Sequence, residues 1–343
     1  MNTTALALVV TAAFLHATWN YLLKKCGGGL GILTLSAIVA TTILTPFSLY
    51  LIISQQFQFT PAIIGMIVGS GMLHLVYFLL LDRAYRSGGD LSVVYPLARA
   101  TGPLLTIVAA VLFFGERMSL LAAGGALLIG VSALILTGNP ANIFSRQAGA
   151  AVGFAVLCGC MIASYTVWDK QGVALFLIPP VVFDWGANLS RIAMMTPLAM
   201  RREPGAITRA WQDHRKTAIA IGIMSPLSYI LVLTAMVFTP VSYVAPAREL
   251  AILFAALLGA HALKEGDATR RTVAALGMVL GVAGLAIYLA MLVRVWRVLG
   301  RVIGPSRDGT VPAPDEKWRL YAQHLRASVL GLKTVGDARA VET

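Results

Sequence analysis

The chain has 343 residues, 58% hydrophobic and 12% charged, with a mean hydropathy of +0.78; this composition excludes an ordinary water-soluble domain. Its net charge is +12, but the basic residues stand mostly between apolar runs, where Lys and Arg meet lipid phosphates, and no basic-aromatic patch or nucleic-acid motif accompanies them. Nucleic acid is therefore not an expected partner. Three cysteines exclude a disulfide framework: Cys158 and Cys160 share an apolar run without CxxC spacing, and Cys26 sits beside three glycines, so all three read as packing residues.

The apolar runs suit a hydrocarbon layer about 30 Å thick, which takes roughly 20 residues to cross. Ten can be drawn in chain order, at about 4–23, 30–53, 61–81, 90–114, 119–138, 149–168, 174–200, 217–237, 240–263 and 270–293. The first has no Lys or Arg ahead of it and no small-residue cleavage site behind it, so it reads as a retained span rather than a signal peptide. Most separators are short. Only 201–216 reads as a longer internal loop, basic and polar, and Gly138-Asn139-Pro140 is a turn that divides the chain. Backbone groups in lipid need internal partners and the runs lack strand-like alternation, so the spans are expected to be helices and not a barrel. From about residue 294 the composition changes: 304–317 holds three prolines and reads as a linker, and 318–332 could form a short amphipathic helix on the membrane.

One stretch occurs twice. Residues 91–136 and 241–288 each begin with Ser and, four residues on, Pro (Ser92/Pro96 and Ser242/Pro246). Each continues with an Arg (Arg99, Arg248), an apolar run, a Glu (Glu116, Glu265) and a Gly-spaced apolar run. An echo precedes each copy: Ala17-Thr18-Trp19-Asn20 with Lys24, and Ala163-Ser164-Tyr165-Thr166 with Lys170. A match at a fixed offset, here about 150 residues, marks duplication. The expected organisation is a first repeat at 1–138, a second at 149–293 and a polar tail at 294–343. Five spans per repeat is an odd number, which turns the second repeat upside down. The expected fold is thus all-α and integral to the membrane, with ten transmembrane helices as two inverted five-helix repeats, a transporter arrangement with its site at the seam.

Orientation has two readings. Lys and Arg crowd the odd-numbered loops, while the even-numbered ones hold little beyond Arg117 and Lys170, which places both termini outside. Arg294, Arg297 and Arg301 follow the last span closely and favour the inside.

A charge at the centre of a span costs about 2.5–3.5 kcal/mol on the insertion scale, so polar residues there face a cavity or a partner. His16, Trp19 and Asn20 share one face of the first span, either lining a cavity or tying helices together. Asp184, Asn188 and Arg191 share a face of the seventh, which reads first as a self-neutralising Asp–Arg pair; Pro179-Pro180 is expected to kink or break that helix. Arg99 and Arg248 occupy near-equivalent positions and could face each other across the repeat axis, holding an anionic group, with Glu249 neutralising Arg248 or carrying a coupled proton. The alternative is snorkelling toward the interface. His74, Tyr77, Tyr95, Tyr165, Trp168, Tyr229 and Tyr243 could line the same cavity or serve as belt and packing residues. Glu116 and Glu265, beside Arg117 and Lys264, are expected to pin hairpin turns. Gly124, Gly125 and Gly130, with Gly277, Gly281 and Gly284, form a close-packing face, internal or dimeric. No GxSxG, HExxH, P-loop or GxGxxG occurs in usable context, so no enzyme is expected, and no cofactor or metal site is implied.

The two copies, Pro96 to Gly115-Glu116-Arg117 and Pro246 to Lys264-Glu265, with His16-Ala17-Thr18-Trp19-Asn20 opening the first half, resemble the EamA-type branch of the drug/metabolite transporter superfamily over about residues 4–293. Gly266 stands where the first copy has an Arg after its Glu. The resemblance implies a ten-helix transporter whose central cavity is formed mainly by the spans holding His16, Tyr77, Tyr95, Tyr165, Tyr229 and Tyr243, small-metabolite substrates, and cytoplasmic termini. The expected function is secondary transport of a small metabolite across the cell membrane by alternating access, as an exporter coupled to protons, with His16, Trp19, Asn20, Arg99, Arg248 and Glu249 in the cavity. Two rival readings are a membrane enzyme or lipid-carrier flippase component, and a scaffold whose tail recruits a partner.

Overall fold

The structure is a computed structural model and describes residues 3–86, 91–116, 118–136, 149–263 and 273–285. The tail at 294–343, Arg117, Lys264 and Glu265 lie outside these residues. Every regular element described is a helix: α1 (Thr3–Lys25), α2 (Leu30–Ser54), α3 (Pro61–Arg86), α4 (Leu91–Phe114), α5 (Leu120–Leu136), α6 (Gly149–Ala174), α7 (Pro180–Arg202), α8 (Ala206–Phe238), α9 (Val241–Ala247), α10 (Leu250–Leu263) and α11 (Val273–Leu285). Six of them, α1, α2, α3, α4, α6 and α8, hold stretches long and apolar enough to cross a membrane. The side chains agree: Ile53, Phe113 and Leu120 are 74%, 76% and 94% exposed, an arrangement suited to lipid and costly in water. This is the build of a membrane protein.

Three boundaries differ from expectation, each for a local reason. Pro179-Pro180 does not break α7 but starts it, since proline at the first helical position gives up an N–H that has no helical partner there. The stretch 201–216 is not a loop. The α8 helix begins at Ala206 and bends at His214, where φ is −133°, so an exposed basic first segment turns into the apolar span. The expected ninth span is two helices, α9 and α10, meeting at Arg248 and Glu249. Just after Pro246 the backbone tightens into i→i−3 bonds, Glu249 N–H to Pro246 O at 3.0 Å and Ile252 N–H to Glu249 O at 2.9 Å.

The helices interleave. The α6 helix packs on α3 and α4, α8 on α1 and α2, α7 on α2 and α3, and α10 on α1. Each of these pairs joins a helix from before residue 138 to one from after 149. Small residues bring the backbones close: a methyl group at Gly31 would come within 2.5 Å of the Ala206 carbonyl oxygen, and one at Gly186 within 2.6 Å of the Ile67 side chain. The α5 and α11 helices meet at Gly125 and Gly281, where a methyl on either glycine would lie 2.6 Å from the other's carbonyl oxygen. In the same interface Gly284 approaches Leu121 and Gly277 approaches Ser132, so these two helices run antiparallel. Backbone cannot yield as a flexible side chain would. Gly125→Val is therefore expected to destabilise the fold by about 1–3 kcal/mol, read as a lowered unfolding midpoint of the purified protein; an unchanged midpoint would mean that the two helices are not held at this distance.

Glu116 does something other than pin its own turn. Gly115, at φ 61°, ends α4 in the left-handed region. The Glu116 carboxylate then accepts the Val241 and Ser242 N–H groups, at 2.9 and 3.0 Å, satisfying the start of α9 in the other half of the chain. Glu116→Ala should cost about 1–2 kcal/mol, as for a lost cap, and Glu116→Gln less, in a denaturant titration; equal losses for both would argue against a cap.

Candidate functional site

The polar side chains that the sequence scatters over six expected spans gather at the interior where α1, α3, α4, α6, α8, α9 and α10 meet. At its centre is an ion pair: Arg99 Nε, from α4, lies 3.0 Å from Glu249 Oε2, at the α9–α10 step, with both side chains only 4% exposed. The sequence offers Glu249 two roles, neutralising its neighbour Arg248 or carrying a coupled proton; the structure pairs it with Arg99 and not with Arg248. On the tightened backbone the two consecutive side chains diverge, and Glu249 crosses to the arginine of the other half. Arg248 turns instead toward α6 and α8, donating to the Tyr165 hydroxyl at 3.4 Å and lying 5.7 Å from the centre of the Tyr229 ring. Among the described residues Arg248 has no carboxylate partner within ion-pair distance.

A small cavity separates these groups. It is lined by Ala12, Ala13, His16, Arg99, Ser228, Tyr229, Val232 and Arg248, with about 10 Å³ open to the centre of a water molecule, which is room for roughly one water. A second space of similar size, beside Arg99 and Glu249, is walled by Pro103, Ile129 and Pro246 and reaches the Gly130 backbone.

A second polar cluster adjoins the first. His74 stacks on Tyr165, with ring centres 4.1 Å apart, and meets Tyr229 edge-on at 5.4 Å; Tyr77 lies 6.0 Å from Tyr165. Tyr229 donates its hydroxyl to Asp169 Oδ2, and His74 Nε2 lies 4.0 Å from the same oxygen. Asp169 is 0% exposed, and the sequence reading missed it. Its expected span stopped at Trp168, which left Asp169 and Lys170 looking like a loop pair. In fact α6 continues to Ala174, and Lys170 reaches the other way, to the carbonyls of Met236 and Thr239 at the end of α8. A signal was present: Asp169 falls four residues after Tyr165, on the same helical face.

Of the residues singled out in the sequence, the structure brings together His16, Arg99, Tyr165, Tyr229, Arg248 and Glu249, with Tyr77 at the edge. Trp19 packs instead with Ile32, Leu35 and Ile221, although its ring also meets His16 edge-on at 5.0 Å. The Asn20 amide donates to its own helix, at His16 O, 2.8 Å. Tyr243 is 2% exposed within the main apolar core. Trp168 donates to Met66 O at 2.8 Å, a tie between α6 and α3. Tyr95 lies in α4, with its side chain outside the described residues. The polar face of α7 is neutralised through an intermediary: Asn188 donates to Asp184 Oδ2 at 2.9 Å and accepts from Arg191, so Asp184 and Arg191 communicate through an amide. Among the described residues no cluster of three or more His, Cys, Asp or Glu could hold a metal ion.

No family model and no curated protein matches this chain. Among solved structures 29 chains match. One of these, a crystal structure described only as that of a protein, superposes with a TM-score of 0.67 at 18% identity, over 84% of this chain and 99% of the other. At that identity the likeness concerns the fold alone.

Proposed function

We propose that this chain is a secondary transporter of the EamA type, moving a small metabolite by alternating access around the Arg99–Glu249–Arg248 centre. The observation that carries this reading is the enclosed polar centre itself. Two arginines and a glutamate, buried at near-equivalent points of two similar stretches, line two adjoining water-sized spaces, Arg99 and Arg248 the one and Arg99 and Glu249 the other, between helices that otherwise bury mainly apolar side chains. Intramembrane charges of this kind mark a pathway or a binding site. Arg248, with no carboxylate within ion-pair distance among the described residues, is the group that holds an anionic part of the substrate, and His16 and Tyr229 supply hydrogen bonds and a ring face beside it.

The inverted repeat belongs to the same proposal, and the packing supports it. If the first five spans exchange with the last five, α1 corresponds to α6, α2 to α7, α3 to α8, α4 to the α9–α10 pair and α5 to α11. Under that exchange α1 on α8 becomes α6 on α3, α2 on α8 becomes α7 on α3, and α10 on α1 becomes α4 on α6; all six pairs occur. The antiparallel run of α5 and α11 is what two copies of opposite orientation require. The i→i−3 step at Arg248 and Glu249 places a broken helix at the site, a feature that transporters use there. Export across the cell membrane is the direction proposed.

The test is flux in proteoliposomes holding the purified chain, with a panel of labelled small organic anions, amino acids and amines. At least one anion or zwitterion is expected to cross, with its flux lost in Arg248→Ala. Flux that persists in Arg248→Ala would remove the cavity assignment.

A further inference from the structure

Transport around the arginines leaves the adjoining Asp169 cluster without a role, and its geometry is specific. His74 Nδ1 lies 2.9 Å from the Ser70 carbonyl oxygen. A carbonyl can only accept, so Nδ1 carries the hydrogen and a neutral ring turns the lone pair of Nε2 outward. That lone pair faces Asp169 Oδ2 at 4.0 Å, and a carboxylate oxygen is also an acceptor. Two acceptors thus confront each other across a gap, in a pocket where Asp169 is fully buried and its Oδ1 has no hydrogen-bond partner among the described residues. One proton would turn the mismatch into a hydrogen bond and remove a buried bare charge.

The surrounding charges do not do this instead. Lys170, next to Asp169 on α6, is held by the α8 carbonyls. Arg99 of α4 is paired with Glu249. On α7, Arg191 is bound to Asn188, which in turn holds Asp184. Arg248, from the α9–α10 step, reaches Tyr165 and the Tyr229 ring and stops short of the carboxylate. On α8, Tyr229 gives Asp169 a hydroxyl, and the Ser70 hydroxyl of α3 also faces the carboxylate; neither supplies a charge.

We propose that the space between His74 Nε2 and Asp169 Oδ2 is a binding site for one proton, separate from the arginines and joined to the cavity by Tyr229. This deepens the transport reading and rests on it: the bound proton is the coupling ion. Tyr229 is both a wall of the cavity and the donor to Asp169. A hydronium in the cavity gives its proton to the Tyr229 oxygen as the Tyr229 hydrogen passes to Asp169 Oδ2, which hands a proton on to His74 Nε2. The hydronium loses one O–H bond, one breaks and one forms at each of the Tyr229 and Asp169 oxygens, and Nε2 gains an N–H, leaving water in the cavity and one added positive charge in the site; release reverses the steps. Because Tyr229 and Tyr165 also touch Arg248, filling the proton site changes the field at the group that holds the substrate.

The experiment is a pH titration of the purified full-length chain carrying ¹⁵N-labelled histidine, followed by NMR, with His74 assigned from its loss in His74→Gln. Wild type is expected to show one step in which His74 Nε2 changes from lone-pair to hydrogen-bearing. In Asp169→Asn the side-chain amide donates to Nε2 permanently, and the step should vanish or move by at least roughly tenfold in proton affinity. In Tyr229→Phe the carboxylate loses a donor and should bind the proton more tightly, by roughly tenfold; this variant serves if Asp169→Asn fails to fold. A His74 step unchanged in whichever of the two folds would overturn the proposal. Flux in the same proteoliposomes is scored separately. Metabolite transport with an unmoved His74 step sinks the proton site alone, and a moved step without transport of any metabolite sinks the coupling role and the transport reading together.

Discussion

Glu249→Ala is expected to lower the stability of the folded chain by about 3–5 kcal/mol, the range for removing one member of a buried ion pair. The reason is less the attraction that is lost than the charge that stays behind. Arg99 is 3% exposed, so without the Glu249 carboxylate its guanidinium remains enclosed among helices with little water to reach it. Removing both charges relieves that penalty. Glu249→Met should cost as much, Arg99→Met combined with Glu249→Met should recover most of the loss, and a double-mutant cycle on the two methionine substitutions would place the coupling between the positions well above 1 kcal/mol. Unfolding of the purified protein in a denaturant series, followed by tryptophan fluorescence, measures all four corners of the cycle. A single variant within about 1 kcal/mol of wild type would mean that Arg99 has another carboxylate or reaches water.

Arg248→Ala is expected to reduce flux by about 30-fold to 1,000-fold, the equivalent of roughly 2–4 kcal/mol for a desolvated charged contact, while leaving the fold nearly as stable as wild type. The contrast with Glu249 follows from their partners. Among the described residues Arg248 has no carboxylate within ion-pair distance; its close contacts are a hydroxyl at 3.4 Å and a ring face at 5.7 Å, both of modest worth. Arg248→Lys keeps the charge but loses the planar fork, so it should restore part of the flux and not all of it. A variant that transports normally but unfolds easily would reverse the assignment and make Arg248 a structural residue.

Much of this architecture was legible in the residues, because the hydrophobic effect and the thickness of a bilayer leave few choices. Runs such as 30–53 and 61–81 could only be helices, and the structure begins α2 at Leu30 and α3 at Pro61. The sequence also pointed to Arg99, Arg248 and Glu249 as members of one centre, since three charges so far inside apolar runs need partners. It could not say who pairs with whom. That depends on a backbone step after Pro246 that rotates Glu249 away from Arg248, and such a step has no signature beyond the proline itself. The start of α8 was hidden for another reason: Arg209, Gln212 and Asp213 look like loop in a hydropathy profile, yet a helix lying outside the apolar layer has no need to be apolar. Asp169 was missed for the simplest reason. A charge beside a lysine near the end of an apolar run resembles a boundary, and only the three-dimensional path shows that the lysine leaves and the aspartate stays. Aromatic residues were the least informative, because Tyr229 at the site and Tyr243 in the apolar core carry the same label.

The interleaving of the helices bears on how the chain is made. The α1 to α4 helices each pack on helices that follow residue 149, so they must leave the ribosome before those partners have been synthesised. Arg99 is inserted about 150 residues ahead of Glu249, and for that interval its charge would cost about 2.5–3.5 kcal/mol in the membrane, a penalty met meanwhile by water, lipid headgroups or the insertion machinery. The early helices are therefore a nascent intermediate whose central charge goes unpaired until the α9–α10 step arrives.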